Sequence, residues 1–166
     1  MKKLIIAALA VAAATTMYAQ GTVSMVSDTV VTYGDSCGAL AGTKVGSEIT
    51  ANLLYEGNIV ASEAFAMSSK GAPTGKLKGD VVNTSLPAGQ LVTLQIQAIN
   101  PADPMYKSLE PYTTFTYTTG DATNPTVLPD GKLQFDAFTV EYVPEPTTIA
   151  LGILGLSSLL VLRRRD

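Results

Sequence analysis

No histidine occurs anywhere in the 166 residues, and this absence decides much of the chemistry open to the chain. Ser-His-Asp and Cys-His nucleophiles, imidazole general bases and nearly all zinc or copper sites need an imidazole. Carboxylate chemistry stays open, because glycoside hydrolysis needs only two suitably spaced acids. Glu48, Glu56, Glu63 and Asp80 are the acids that could form such a pair, although a carboxylate in so acidic a chain is more often a solvated surface group. Asp121, Asn124 and Asp130 offer oxygen ligands for calcium without an EF-hand spacing, and such residues also make turns unaided. Tyr33, Tyr106 and Tyr112 stand beside chain breakers, where exposed rings could stack on sugars. Tyrosine equally packs at sheet edges with its hydroxyl wet. Cys37 is the single cysteine, so no intrachain disulfide can form, and it reads as a buried, inert thiol. These residues lead to the expectation of a non-enzymatic protein with no catalytic residue, no cofactor and no resident metal.

The elements that would carry these side chains read as short strands. In residues 91–98, Val92, Leu94, Ile96 and Ala98 alternate with Thr93, Gln95 and Gln97, which places one buried and one wet face on a strand. Ile49, Ala51, Leu53 and Tyr55 alternate with Thr50 and Asn52, with Leu54 as the exception. Phe115 and Tyr117 are separated by threonine, and Phe138, Val140 and Tyr142 alternate with Thr139 and Glu141. Turn chemistry lies between these runs: Glu56-Gly57-Asn58, Leu86-Pro87-Ala88-Gly89, Asn100-Pro101, and Pro129-Asp130-Gly131. Residues 68–79 have no period and read as a long loop. The predicted body, residues 20–143, is all-β: one antiparallel β-sandwich of seven or eight strands, immunoglobulin-like or jelly-roll in type. Its 124 residues suit one domain. Six lysines and no arginine stand against twelve acids in this body, a net charge of −6 that argues against nucleic acid as a partner.

The two ends have a different grammar. Lys2 and Lys3 precede an apolar run over residues 4–14, then a more polar stretch ending at Ala19, the order of a secretory signal peptide. At about 1.5 Å per residue the run is too short to cross a hydrocarbon core roughly 30 Å thick. The expected signal peptide is residues 1–19, cut between Ala19 and Gln20. Residues 147–162 carry no charge, and Arg163, Arg164 and Arg165 follow. Such a stretch can form a short transmembrane helix, with the arginines as a stop-transfer signal held on the cytoplasmic side.

Residues 143–148 read Val-Pro-Glu-Pro-Thr-Thr, and with the apolar run and terminal arginines they closely resemble the PEP-CTERM sorting signal of Gram-negative bacteria. The Gln-Gly-Thr-Val start at residues 20–23 is similar to that of PEP-CTERM proteins from Verrucomicrobia-type bacteria. The resemblance implies that Pro144, Glu145 and Pro146 are the sorting motif, read by a membrane-embedded exosortase, with residues 144–166 as the sorting signal. It implies signal peptidase and exosortase as processing partners, an inner-membrane intermediate held by the C-terminal helix, and final release to the cell surface or extracellular matrix. A carbohydrate-binding module acting on exopolysaccharide is the second reading, and a small carboxylate-dependent hydrolase the third.

Overall fold

The computed structural model describes residues 20–124 and 128–144. The signal peptide and the transmembrane helix expected at residues 1–19 and 147–162 lie outside them. The described body is all-β. Its strands are β1 (Gln20–Val26), β2 (Thr32–Tyr33), β3 (Thr50–Tyr55), β4 (Asn58–Ala64), β5 (Lys78–Pro87), β6 (Leu91–Ile99), β7 (Tyr106–Lys107), β8 (Thr113–Thr118), β9 (Gly120–Asp121) and β10 (Thr139–Tyr142). Among the described residues the one helical element is a 3-10 segment, Asp35–Leu40, broken at Gly38. No described helix is long and apolar enough to cross a membrane.

Alternation dictates β6. Val92, Leu94, Ile96 and Ala98 are buried while Leu91 and Thr93 on the other face are exposed. β6 is the hub of a seven-stranded sheet: β3 pairs along one edge with Leu53 opposite Ile96, and β8 pairs along the other with Phe115 opposite Leu94. The β3–β4 hairpin closes through Glu56 and Gly57, whose φ values of 50° and 80° give the doubly left-handed turn that matches strand twist. Past the end of β8, β7 takes up the β6 edge at Ile99 and carries β10, which carries β2. A second sheet has the order β5-β1-β9.

Both sheets feed one core. Val23 and Met25 of β1 and Leu86 of β5 share it with Ala51, Leu53, Leu94, Ile96 and Tyr117 of the larger sheet. Burying a side chain such as Leu94 or Ile96 stabilises the fold by about 1.5–3 kcal/mol relative to exposure. The segment before β10 joins the sheets: Leu133 N–H donates to the Val26 carbonyl at 2.7 Å, while the Phe135 ring sits 5.8 Å from Phe115 and 5.9 Å from Phe138.

Three features differ from the sequence reading. Ten strands are present among the described residues where seven or eight were expected, because pairs as short as β7 and β9 have no period to read. The pairing is not wholly antiparallel, since β10 runs parallel to β2. The predicted loop over residues 68–79 gives way to strand at Lys78, because Lys78 pairs with Val26 and, past an irregularity, Val81 pairs with Ser24 of β1.

Candidate functional site

The expected sorting motif begins where the sheet ends. β10 lies between β2 and β7, pairing Val140 with Tyr33 and Tyr142 with Tyr106. The 3-10 segment clamps it from outside. Gly34 N–H and the Cys37 thiol both donate to the Val140 carbonyl, at 2.9 and 3.1 Å. Tyr142 N–H donates to Ser36 Oγ at 2.7 Å, and that hydroxyl donates to Glu141 Oε2. Thr139 donates to Glu141 Oε1 at 2.7 Å. The Ser36 hydroxyl first, then that of Thr139, hold the Glu141 carboxyl below its ordinary value despite partial desolvation. Gly34 lets the Glu141 carboxylate lie close over the backbone, since a Cβ there would overlap that carboxylate unless it moved. The last hydrogen bond of the edge runs from Val143 N–H to the Met105 carbonyl at 2.7 Å. Pro144 follows it and is exposed. Glu145, Pro146 and the expected stop-transfer residues Arg163, Arg164 and Arg165 lie outside the described residues.

The other end is similar in design. Gln20, exposed, opens β1 opposite Pro87, and Ala19 lies outside the described residues. Gly21 sits so close to β5 that a Cβ would come within 2.9 Å of the Leu86 and Pro87 carbonyls. The first strand is therefore seated in the sheet from the residue after the expected cut.

The candidate chemistry is dispersed. Glu48 accepts hydrogen bonds from Tyr33 Oη at 2.8 Å and Gly46 N–H at 2.9 Å. Burial would raise its carboxyl, but these bonds and one from its own backbone leave it lowered. Glu56 lies in the hairpin turn, Glu63 packs on Gly79, and Asp80 is exposed on β5. Asp121 accepts from Thr123 N–H and Oγ1, both at 2.8 Å, and so caps its own turn, while Asp130 accepts from Thr118 N–H at 2.7 Å at the end of β8. Among the described residues no three metal-ligating side chains cluster.

The expected exposure of the tyrosines needs correction. Tyr33 is buried, its ring edge-on to Tyr106 at 6.0 Å and its hydroxyl taken by Glu48; desolvation, reinforced by that carboxylate, pushes its pKa well up. Tyr106 is half-buried between Tyr33 and Tyr142. Tyr112 is different. It walls an open cleft of about 480 Å³ on the outer face of the larger sheet, with Leu54, Gly57, Gln95, Gln97 and Glu110. Cys37 is buried, as its small-residue surroundings suggested.

No family model, curated protein or solved structure matches this chain.

The site is thus read from its own geometry. The clamp can hold the C-terminal edge closed up to one residue before the motif, while the Tyr112 cleft combines an aromatic ring with amide and carboxylate groups. Sequence reasoning found β10 and Tyr112 but missed the Ser36–Glu141 contact, whose partners stand 105 positions apart. The run Gly-Asp-Ser-Cys-Gly at residues 34–38 was the available signal, because its small polar residues favour a turn with free hydroxyl and thiol groups.

Proposed function

We propose that this chain is an exported, non-enzymatic protein whose β-sandwich body is delivered to the cell surface or extracellular matrix by a PEP-CTERM tail. In this reading signal peptidase cuts between Ala19 and Gln20, and the apolar stretch and Arg163, Arg164 and Arg165 hold an inner-membrane intermediate. An exosortase then reads Pro144, Glu145 and Pro146. The observation that carries the reading is the extent of the core. Among the described residues every buried core side chain lies between Val23 and Val140, inside both expected cuts. A core built from these residues needs no side chain of either signal. The sandwich is supported by two sheets sharing one hydrophobic core. A non-enzymatic role is supported by the bonding of Glu48 to Tyr33 and Gly46 and by the place of Glu56 in an exposed turn.

The test is expression in a bacterium that carries an exosortase, with Glu145→Ala and with Arg163, Arg164 and Arg165 deleted. Export of both variants should persist while the C-terminal mass of the product changes. A C-terminal mass identical to wild type in both variants would refute exosortase handling.

A further inference from the structure

We propose that the cleft between the Glu56-Gly57 turn and the Pro111-Tyr112 loop binds a neutral glycan chain, with Tyr112 as the stacking platform and Gln95 and Glu110 as hydrogen-bonding groups. The proposal rests on the exported reading in one respect, that polysaccharide is what the body meets outside the cell. The cleft itself supplies the rest. Its lining holds one aromatic ring, two amides and one carboxylate, with no lysine or arginine. A pyranose presents an apolar C–H face and a rim of hydroxyls that both donate and accept, so a ring bordered by amides and an acid fits it well.

The ring is already fixed. Ser62 Oγ donates to Asn52 Oδ1 at 2.7 Å, Asn52 Nδ2 donates to Gln97 Oε1 at 3.2 Å, and Gln97 Nε2 donates to Tyr112 Oη at 2.7 Å. This relay crosses β4, β3 and β6 on one sheet face and ends at the tyrosine. A platform held before the ligand arrives loses little side-chain entropy on binding. Gln97 is consumed by the relay. Gln95, two residues along the same face, and Glu110 make no side-chain hydrogen bond among the described residues, which leaves their polar atoms open to a ligand. Gly57 has open space where a Cβ would stand, so the turn wall is low and a chain can run past it.

Charge and topology narrow the ligand. Glu110 within the lining and the net −6 of the body disfavour polyuronates and phosphate-bearing polymers. The strands that floor the cleft offer a peptide no edge for strand addition, because β3 is paired by β4 and β6, and β6 by β3 and β8. Hydrolysis needs two carboxylates and this lining holds one, so the role is retention of the glycan and not its cleavage.

The experiment is calorimetric titration of the full chain in detergent micelles with neutral hexasaccharides of glucose, mannose, galactose and xylose, and with a uronic-acid hexasaccharide. At least one neutral sugar should bind. Tyr112→Ala should weaken it about tenfold, Gln95→Ala about fivefold, and Tyr112→Phe, which keeps the ring but loses the relay, about threefold. Unchanged melting of the variants shows that the fold persists. No binding by any neutral sugar, equal affinity of wild type and Tyr112→Ala, or preference for the uronic-acid chain would each overturn the proposal. These titrations do not depend on where the protein is sorted, so a failure of export and a failure of the cleft give separate results.

Discussion

Removing one oxygen, by Tyr117→Phe, should loosen the joint between the two sheets. Tyr117 belongs to β8 and is 1 % exposed, yet its hydroxyl reaches across to the smaller sheet, where it accepts the Ser24 N–H at 2.9 Å and donates to the Asp130 carbonyl. Ser24 needs that acceptor because β9 pairs with β1 at Gly21 and Thr22 and stops short of Ser24. The tyrosine hydroxyl thus stands in for a missing strand. Phenylalanine preserves the ring packing and leaves a buried amide without its acceptor, at a cost of about 1–3 kcal/mol, whereas the carbonyl of exposed Asp130 can turn to water. A loss of about 2 kcal/mol corresponds to a fall in Tm of about 8 °C for a domain of this size. Thermal melts and urea titration of the two proteins measure it. A difference below about 0.5 kcal/mol, with unchanged m-value, would refute the substitute-strand role.

Other outcomes follow from the same contacts. The Glu141 carboxyl is held below its ordinary value of 4.5, so its stabilisation is present above that pH and lost as pH falls through the lower folded value. The protection factors of the Tyr142 and Val143 amides, taken against their intrinsic exchange rates, should therefore fall in acid, and Glu141→Gln should show the same loss of protection at pH 7. Tyr33 and Tyr117 are both raised from 10.0, Tyr117 chiefly by desolvation, so their contribution is complete below pH 10 and fades as pH rises beyond it. Alkaline unfolding monitored with tyrosinate absorbance should begin above pH 10, and at a lower pH than in Tyr117→Phe at matched stability, since the variant has one fewer buried phenol to ionise. Gly75→Ala should cost about 2–3 kcal/mol by urea titration, since Gly75 has φ +67° and its Cβ would lie 2.5 Å from the Val31 carbonyl.

What could be read in advance was set by one-sided burial. β6 was legible because one face is core and the other wet, and Glu56-Gly57-Asn58 because two left-handed residues in a row need that composition. β1 was hidden, since Thr22 and Ser24 are buried along with Val23 and Met25, and a strand covered on both faces shows no alternation. β5 was obscured for the opposite reason: its first six residues are exposed or half-exposed on both faces. The tail motif was legible as a string of residue types. The clamp behind it was not, because it depends on Ser36 and Glu141 being brought together by the parallel β2–β10 pairing. Tyr112 could be named from its neighbouring proline, but the relay that fixes it runs through polar residues of three strands that reading along the chain cannot align.

The central claim is processing at both ends of an intact β body, and the intact mass of the protein recovered from the surface of the producing cell measures it directly. The expected mass is that of a chain starting at Gln20 and lacking the segment that carries Arg163, Arg164 and Arg165. A surface-located protein that keeps Asp166 would contradict it.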